Sequence, residues 1–334
     1  MTMDKPKRDH RQRQSLFWPI ILIGIGLIWL LNNLGILSTA NIAVLFRLWP
    51  LFLIIIGLDM LIGRDSPRLR PLLGIGAVVL LVVLAIIGPS LGLSGGQDVE
   101  TRVYDVEVAG AEAAEFRMDA SSAPVNIRAL TDSANLAEMQ IVDSGRIDME
   151  YVEGVLATIS LDKRADFGFG FFAEPEGETR RWDIGLSDRV PLNLDLELAS
   201  GNSQLDLSAL SITDLKIDAG SGNVALKLPG GAYRIESEHG SGRWVVEVPP
   251  RSAFDWQIDD LGSGNLTINV AASVGVQVEI QDSDSGALNV PPGWEQMSGD
   301  DEEGVWQSGN YAGADYVISI TIADRSSGNM TFRQ

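Results

Sequence analysis

No cysteine occurs among the 334 residues of the chain. That removes disulfides, thiolate zinc sites, iron–sulfur clusters and thiol nucleophiles together. Histidine is nearly as scarce. His10 lies in a basic leader and His239, with Glu238 and Arg243, beside a glycine turn; one histidine near one of many serines makes no Ser-His-Asp arrangement, and His239 reads as a turn residue on a solvated edge. Positive charge is thin, with 25 Lys and Arg against 45 Asp and Glu, a net of −20. Nine basic and four acidic residues precede Gln97, a net of +5, so the remainder carries −20 − 5 = −25. A domain of that charge repels nucleic acid and anionic headgroups; its acidity reads first as a solubility device, and second as a surface for cations, basic proteins or neutral polymers. No Gly-Lys-Ser/Thr phosphate loop occurs.

What the N-terminal region has in abundance is apolar sequence. Residues 16–37 form an apolar run long enough, at 1.5 Å per residue, to cross roughly 30 Å of hydrocarbon. Residues 42–62 and 71–93 are two further candidates, so 16–93 reads as a three-span membrane region behind a basic cytoplasmic leader, 1–15. Five basic residues precede the first span, none lies in "STAN", three lie between spans two and three, and none follows in "SGGQDVE". The positive-inside rule then places the N-terminus in the cytoplasm and everything after the third span outside it. Span two is the weakest, because Arg47 and Asp59 fall within it and Trp49-Pro50 interrupts it. "WPIILIGIGL" (18–27) is echoed by "WPLFLIIIGL" (49–58); tryptophan suits the headgroup boundary and proline a first helical turn.

Beyond a linker, 94–102, the sequence changes character. Serine-glycine pairs place glycine at Gly201, Gly222, Gly242, Gly264, Gly286 and Gly328, at intervals of 21, 20, 22, 22 and 42, the last being two periods. A fixed period near 21 is the signature of a solenoid. Each period holds two alternating runs, such as Val224, Leu226 and Leu228 and then Tyr233 and Ile235, with Pro-Gly or Pro-Pro between them. The prediction for 199–334 is a regular all-β solenoid of about 21 residues per coil. Glycine is expected at its turns for its access to positive φ. Stacking would align Asn202, Asn223, Asn265 and Asn329 as a structural ladder. Residues 103–198 alternate less regularly and read as an irregular β region capping the solenoid. "SSGNMTFRQ" (326–334) falls at the open end of such a stack, which makes self-association through that end an expectation.

The membrane segment "FWPIILIGIGLIWLLNNLGIL...RLWPLFLIIIGLDMLIG", with "WDIGLSDRVPLNLDLELASGNSQLDLSAL" (182–210) and "LKIDAGSGNVALKLPG" (215–230), resembles the LiaI/LiaF-type bacterial envelope proteins followed by a toastrack domain. The resemblance implies a non-enzymatic membrane protein of the cell envelope, in some members a regulator of a stress-sensing system. It supplies no catalytic residues.

The remaining candidates for chemistry are few. Asp255, Asp259 and Asp260 could serve acid–base work as in polysaccharide-active β-helices, but minimal coils give no groove, so no catalytic residue and no cofactor is expected. Asp282 and Asp284 in "DSDSG", with Asp300 and Asp301 in "SGDDEEG", concentrate oxygen ligands of the calcium kind without matching a calcium loop, and read as solvated turns. Phe167, Phe169, Phe171 and Phe172 crowd "DFGFGFFAEP"; they line a hairpin core or form an apolar tip that meets the bilayer or a partner. Asn265-Leu266-Thr267 and Asn329-Met330-Thr331 match a glycosylation pattern as by-products of the repeat. The function expected is a membrane-anchored envelope module that binds a membrane sensor protein or wall polymer, or itself.

Overall fold

The computed structural model describes residues 99–144, 146–164, 180–300 and 303–334, with scattered helical positions between 26 and 87. The expected spans lie for the most part outside the described residues, and among the described residues no helix is long and apolar enough to cross a membrane. Val99–Ala165 and Glu178–Gln334 form one compact unit. Its strands begin with β1 (Glu100–Glu107), β2 (Ala113–Asp119), β3 (Val125–Ala129), β4 (Asn135–Asp143), β5 (Ile147–Val152), β6 (Leu156–Lys163) and β7 (Arg181–Leu186). The repeat region supplies β8 (Leu192–Leu198), β9 (Ser203–Asp206), β10 (Ile212–Ala219), β11 (Val224–Lys227), β12 (Arg234–His239), β13 (Arg243–Val248), β14 (Asp255–Asp260) and β15 (Asn265–Val270). Then come β16 (Val274–Ile280), β17 (Leu288–Asn289), β18 (Glu295–Gly299), β19 (Gly304–Gln307), β20 (Tyr316–Asp324) and β21 (Asn329–Arg333).

Two open sheets result. Sheet A runs β1-β4-β7-β3-β9-β11-β13-β15-β21-β17, and sheet B runs β18-β19-β16-β20-β14-β12-β10-β8-β2-β6-β5. From β8 to β15 the chain alternates between them, one strand in each per coil, and equivalent strands of successive coils pair in parallel. The two-strand period read from the alternation is therefore the unit of the fold. Alternation sends one set of side chains between the sheets: Ile184, Ile127, Leu205, Leu226, Val246, Ile268 and Phe332 fall in one register column of sheet A. Facing them across the interior, Ile159, Phe116, Leu194, Leu215, Ile235, Trp256, Ile320 and Val278 form a column of sheet B. All of them are buried. At 1.5–3 kcal/mol per large apolar side chain, such columns dominate the stability of the stack.

The order of coils in space departs from their order in the chain at both ends. β2 and β3 lie between the β6/β7 coil and the β8/β9 coil, while β20 and β21 lie between β14/β15 and β16/β17. The 42-residue glycine interval is therefore an excursion: the chain lays down β16 and β17 one coil too far out and returns to fill the gap. This overturns the expectation that 326–334 forms an open end. β21 pairs with β15 on one side and β17 on the other. The segment 103–198 likewise contains two coils as well as caps. The caps are antiparallel strands, β4 and β1 on β7, β5 on β6, and β19 and β18 on β16. β1 begins at Glu100, within the segment assigned to the linker.

Candidate interaction surface

The outer face of sheet B carries a line of carboxylates. Register places Asp148, Asp162, Asp119, Glu197, Asp218, Glu238, Asp260 and Asp324 side by side on eight neighbouring strands. At a strand spacing of about 4.8 Å the line runs roughly 34 Å. Parallel stacking makes it: each coil repeats an acidic residue at the last outward position before its turn. The ends are satisfied locally. Arg146 and Arg164 approach Asp148 at 2.7 and 2.5 Å, and Asp324 Oδ1 accepts the Ser326 backbone N–H at 2.6 Å and its hydroxyl at 3.2 Å. At the middle, burial first and then the charges of Asp119, Asp195 and Asp218 hold the Glu197 carboxyl above the usual range, against the opposing effect of Lys216. The adjoining column, Arg117, Asp195, Lys216 and Glu236, alternates in sign instead.

The serine-glycine-asparagine turns lie along one edge, and their chemistry differs from expectation. None of Gly201, Gly222, Gly242, Gly264, Gly286 and Gly328 has a positive φ. Glycine is required there because successive turns touch: a Cβ on Gly222 would strike the Gly201 carbonyl oxygen, one on Gly242 that of Gly222, and one on Gly286 that of Gly328. In a second glycine column Gly262 alone combines such contact with a positive φ, +56°. The asparagine ladder is present in two pieces. Asn223 Nδ2 donates to Asn202 Oδ1 at 3.0 Å, and Asn329 Nδ2 to Asn265 Oδ1 at 3.2 Å. Between them Arg243 takes the asparagine position and only its backbone N–H reaches Asn223 Oδ1, at 3.2 Å.

His239 is not on a solvated edge. It closes β12 facing the interior, 3 % exposed, with its ring stacked on Trp244 at 3.8 Å. Trp256 Nε1 donates to the Ser237 hydroxyl at 2.9 Å, and that hydroxyl is shared with His239 Nε2 at 2.8 Å. Burial lowers the imidazole pKa to about 3. A second buried polar node, which the sequence reading missed, lies near one end of the stack: Asp143 receives Lys163 Nζ at 2.7 Å and Trp182 Nε1 at 2.9 Å. Only the coincidence of a charge at a strand's inward position could have signalled it.

Other candidates are dispersed. Asp255 pairs in register with Arg234 and Ser319 on the outer face, so Asp255 and Asp260 line a flat sheet. Asp282 and Asp284 are exposed, with backbone groups bonded to those of Arg325 and Ser326, and Asp300 Oδ1 accepts the Glu303 backbone N–H in the β18–β19 turn. Asp301, Phe167, Phe169, Phe171 and Phe172 lie outside the described residues. Among the described residues no three His, Asp or Glu gather as a metal-holding group.

The coil architecture agrees with comparison to known families. Residues 95–245 match the N-terminal domain of toast_rack, DUF2154. Residues 16–61 match the LiaI-LiaF-like transmembrane region. The chain thus joins a LiaI-LiaF-like membrane region to a toast-rack domain, the architecture its sequence resembles, and is a membrane-anchored protein. One solved structure shares the overall fold. A candidate cell adhesion protein from Clostridium sporogenes matches with a TM-score of 0.51 at 18% identity, over 71% of this chain and 100% of that one. A candidate adhesin from Bacteroides fragilis (TM-score 0.27, 11% identity, 71% and 98% covered) and a candidate lipid binding protein from Parabacteroides distasonis (0.23, 15%, 70% and 98%) also match. No curated protein matches the chain in sequence.

Proposed function

We propose that the toast-rack domain is an extracytoplasmic binding module, not a catalyst, which docks a basic partner protein of the envelope along the outer face of sheet B. The carboxylate line carries this reading. Like charges directly opposite one another on paired strands cost stability, and a row of them is a fixed negative surface that a lysine- or arginine-bearing partner neutralises and that steers its approach. A membrane anchor keeps that surface within reach of other envelope proteins, including sensor kinases, which is the regulatory form of the proposal. The adhesion description of the Clostridium structure fits a second form, in which the same exposed face holds wall polymer.

Binding of a fluorescent oligolysine to the full-length protein in detergent micelles tests the face. Glu197→Gln, Asp218→Asn and Glu238→Gln together should weaken binding about tenfold, near 1.4 kcal/mol, and flatten its salt dependence; equal binding by the triple variant sinks the proposal. A reporter active only outside the cytoplasm, fused after Gln334 and separately after Asn41, tests the topology. Activity at both supports three crossings, and activity at Asn41 alone places the domain in the cytoplasm.

A further inference from the structure

Open sheets end in edge strands, rows of backbone groups ready to pair with another strand. Among the described residues this unit has four such edges, and three are blunted. β17 is two residues long, with Trp294 packed 4.9 Å from Phe332 beside it. β18 is broken by a register shift between Gln296 and Ser298 and ends at Gly299, φ +89°. β5 carries Asp148 and Glu150 in six residues, with Arg146 and Arg164 gathered on Asp148. The fourth, β1, is charged too, with Arg102 paired to Glu100 at 2.6 Å, but differs in length and regularity: ETRVYDVE is eight residues long, contains no proline, glycine or lysine, and keeps regular register with β4 from Glu100 to Val106. At its middle Val103 is 64% exposed.

We propose that β1 pairs antiparallel with β1 of a second copy of this chain, about a two-fold axis through Val103. An axis normal to the sheet keeps inner faces aligned, so each residue must meet one of the same parity. Centring on Arg102 opposes two guanidinium groups, and centring on Asp105 opposes two carboxylates. Centring on Tyr104 sets Val103 against Asp105 and Arg102 against Val106. Centring on Val103 sets valine on valine, Thr101 on Asp105, Arg102 on Tyr104 and Glu100 on Val106. The central three are apolar, hydroxyl–carboxylate and cation–aromatic pairs, only the outermost sets a charge against an apolar residue, and no like charges are opposed. Two ten-stranded A sheets become one of twenty strands. Confinement to one membrane raises the effective concentration of copies. The pairing does not involve the acidic face of sheet B.

The absence of native cysteine makes the test clean. Each single-cysteine variant carries one thiol, and directly opposed residues of antiparallel strands sit about 4.5–5.5 Å apart at Cα, within reach of a disulfide. Full-length Val103→Cys, oxidised in its membrane, should form a covalent species of twice the chain's mass. Thr101→Cys and Asp105→Cys should each stay single, while their mixture couples. Met297→Cys, 57% exposed on β18 at the opposite end of the strand order, measures random collision. Coupling of Val103→Cys no greater than that of Met297→Cys overturns the proposal, as does self-coupling of Thr101→Cys equal to that of Val103→Cys, or a product of any other mass. Independently, Val103→Lys opposes two ammonium groups and should convert a dimer to monomer in the mass of the full-length protein in detergent; an unchanged mass, monomeric or dimeric, overturns the proposal.

Discussion

The Lys163 ammonium lies 2.7 Å from a carboxylate oxygen of Asp143, whose side chain has no solvent exposure. The same carboxylate accepts the indole N–H of Trp182, the first inward residue of β7. Three strands, β4, β6 and β7, are thereby pinned together. Asp143→Ala strands an ammonium and a buried indole at once, and removing one partner of a buried pair costs about 3–5 kcal/mol. Chemical denaturation of the full-length protein should show that loss; a change under about 1 kcal/mol would mean that the ion pair is incidental to the cap.

Gly242→Ala tests close contact as the reason for glycine in the turns. A Cβ there meets the Gly222 carbonyl oxygen, so a loss of about 3 kcal/mol is expected from overpacking against backbone. Gly313→Ala, where a Cβ meets nothing, should change stability by no more than about 0.5 kcal/mol. Equal effects at the two sites would refute contact as the cause.

The buried imidazole predicts a pH dependence. His239 is lowered in the fold to about 3 from its usual 6.5, so below 6.5 the unfolded chain takes up a proton that the folded one refuses. Its stabilising contribution is complete above pH 6.5 and is lost as pH falls toward 3, at about 1.4 kcal/mol per unit. The groups around it, Ser237, Trp244 and Trp256, are uncharged. His239→Phe should keep the stack on Trp244 and flatten the slope between pH 5 and 6, where carboxylates contribute less. Parallel curves for variant and parent would contradict the assignment.

Deletion of 325–334 removes β21 from between β15 and β17 and should expose the apolar column beneath it. The expected result is loss of the cooperative transition of the domain, or a fall of at least about 4 kcal/mol, with amide exchange accelerated throughout 274–300. A truncated protein as stable as the parent would mean that β21 is dispensable.

Alternation made the coil readable, because a period of two residues within a period of 21 admits few arrangements besides stacked strands. The order of stacking was not readable. A return strand such as β21 obeys the same pattern as an outermost one, and nothing in "SSGNMTFRQ" distinguishes a gap already flanked by β15 and β17 from an empty end. The glycines were found at the right positions for the wrong reason, since the sequence shows where the chain bends but not how near the next bend lies. His239 was misplaced because two tryptophans that bury it, Trp244 and Trp256, lie on different strands of different sheets. The carboxylate line was legible only in pieces, as one acidic residue per repeat, until register joined Glu197, Asp218 and Glu238 into a row.

The excursion that leaves β20 and β21 inside the stack also sets an order of events for a chain delivered from its N-terminus. β2 and β3 can receive β6 and β7 as these emerge, and each coil through β15 finds its template already in place. β16 and β17 do not, because the surface they rest on is made of residues 316–333. Until residues 316–333 are delivered, β16 has only the antiparallel β19 to pair with and β17 has no partner, with β15 presenting a bare apolar rim. The membrane anchor holds that half-built rim close to other chains in the same condition, so the last coils are where a holding chaperone would act and where exchange of strands between neighbours would begin.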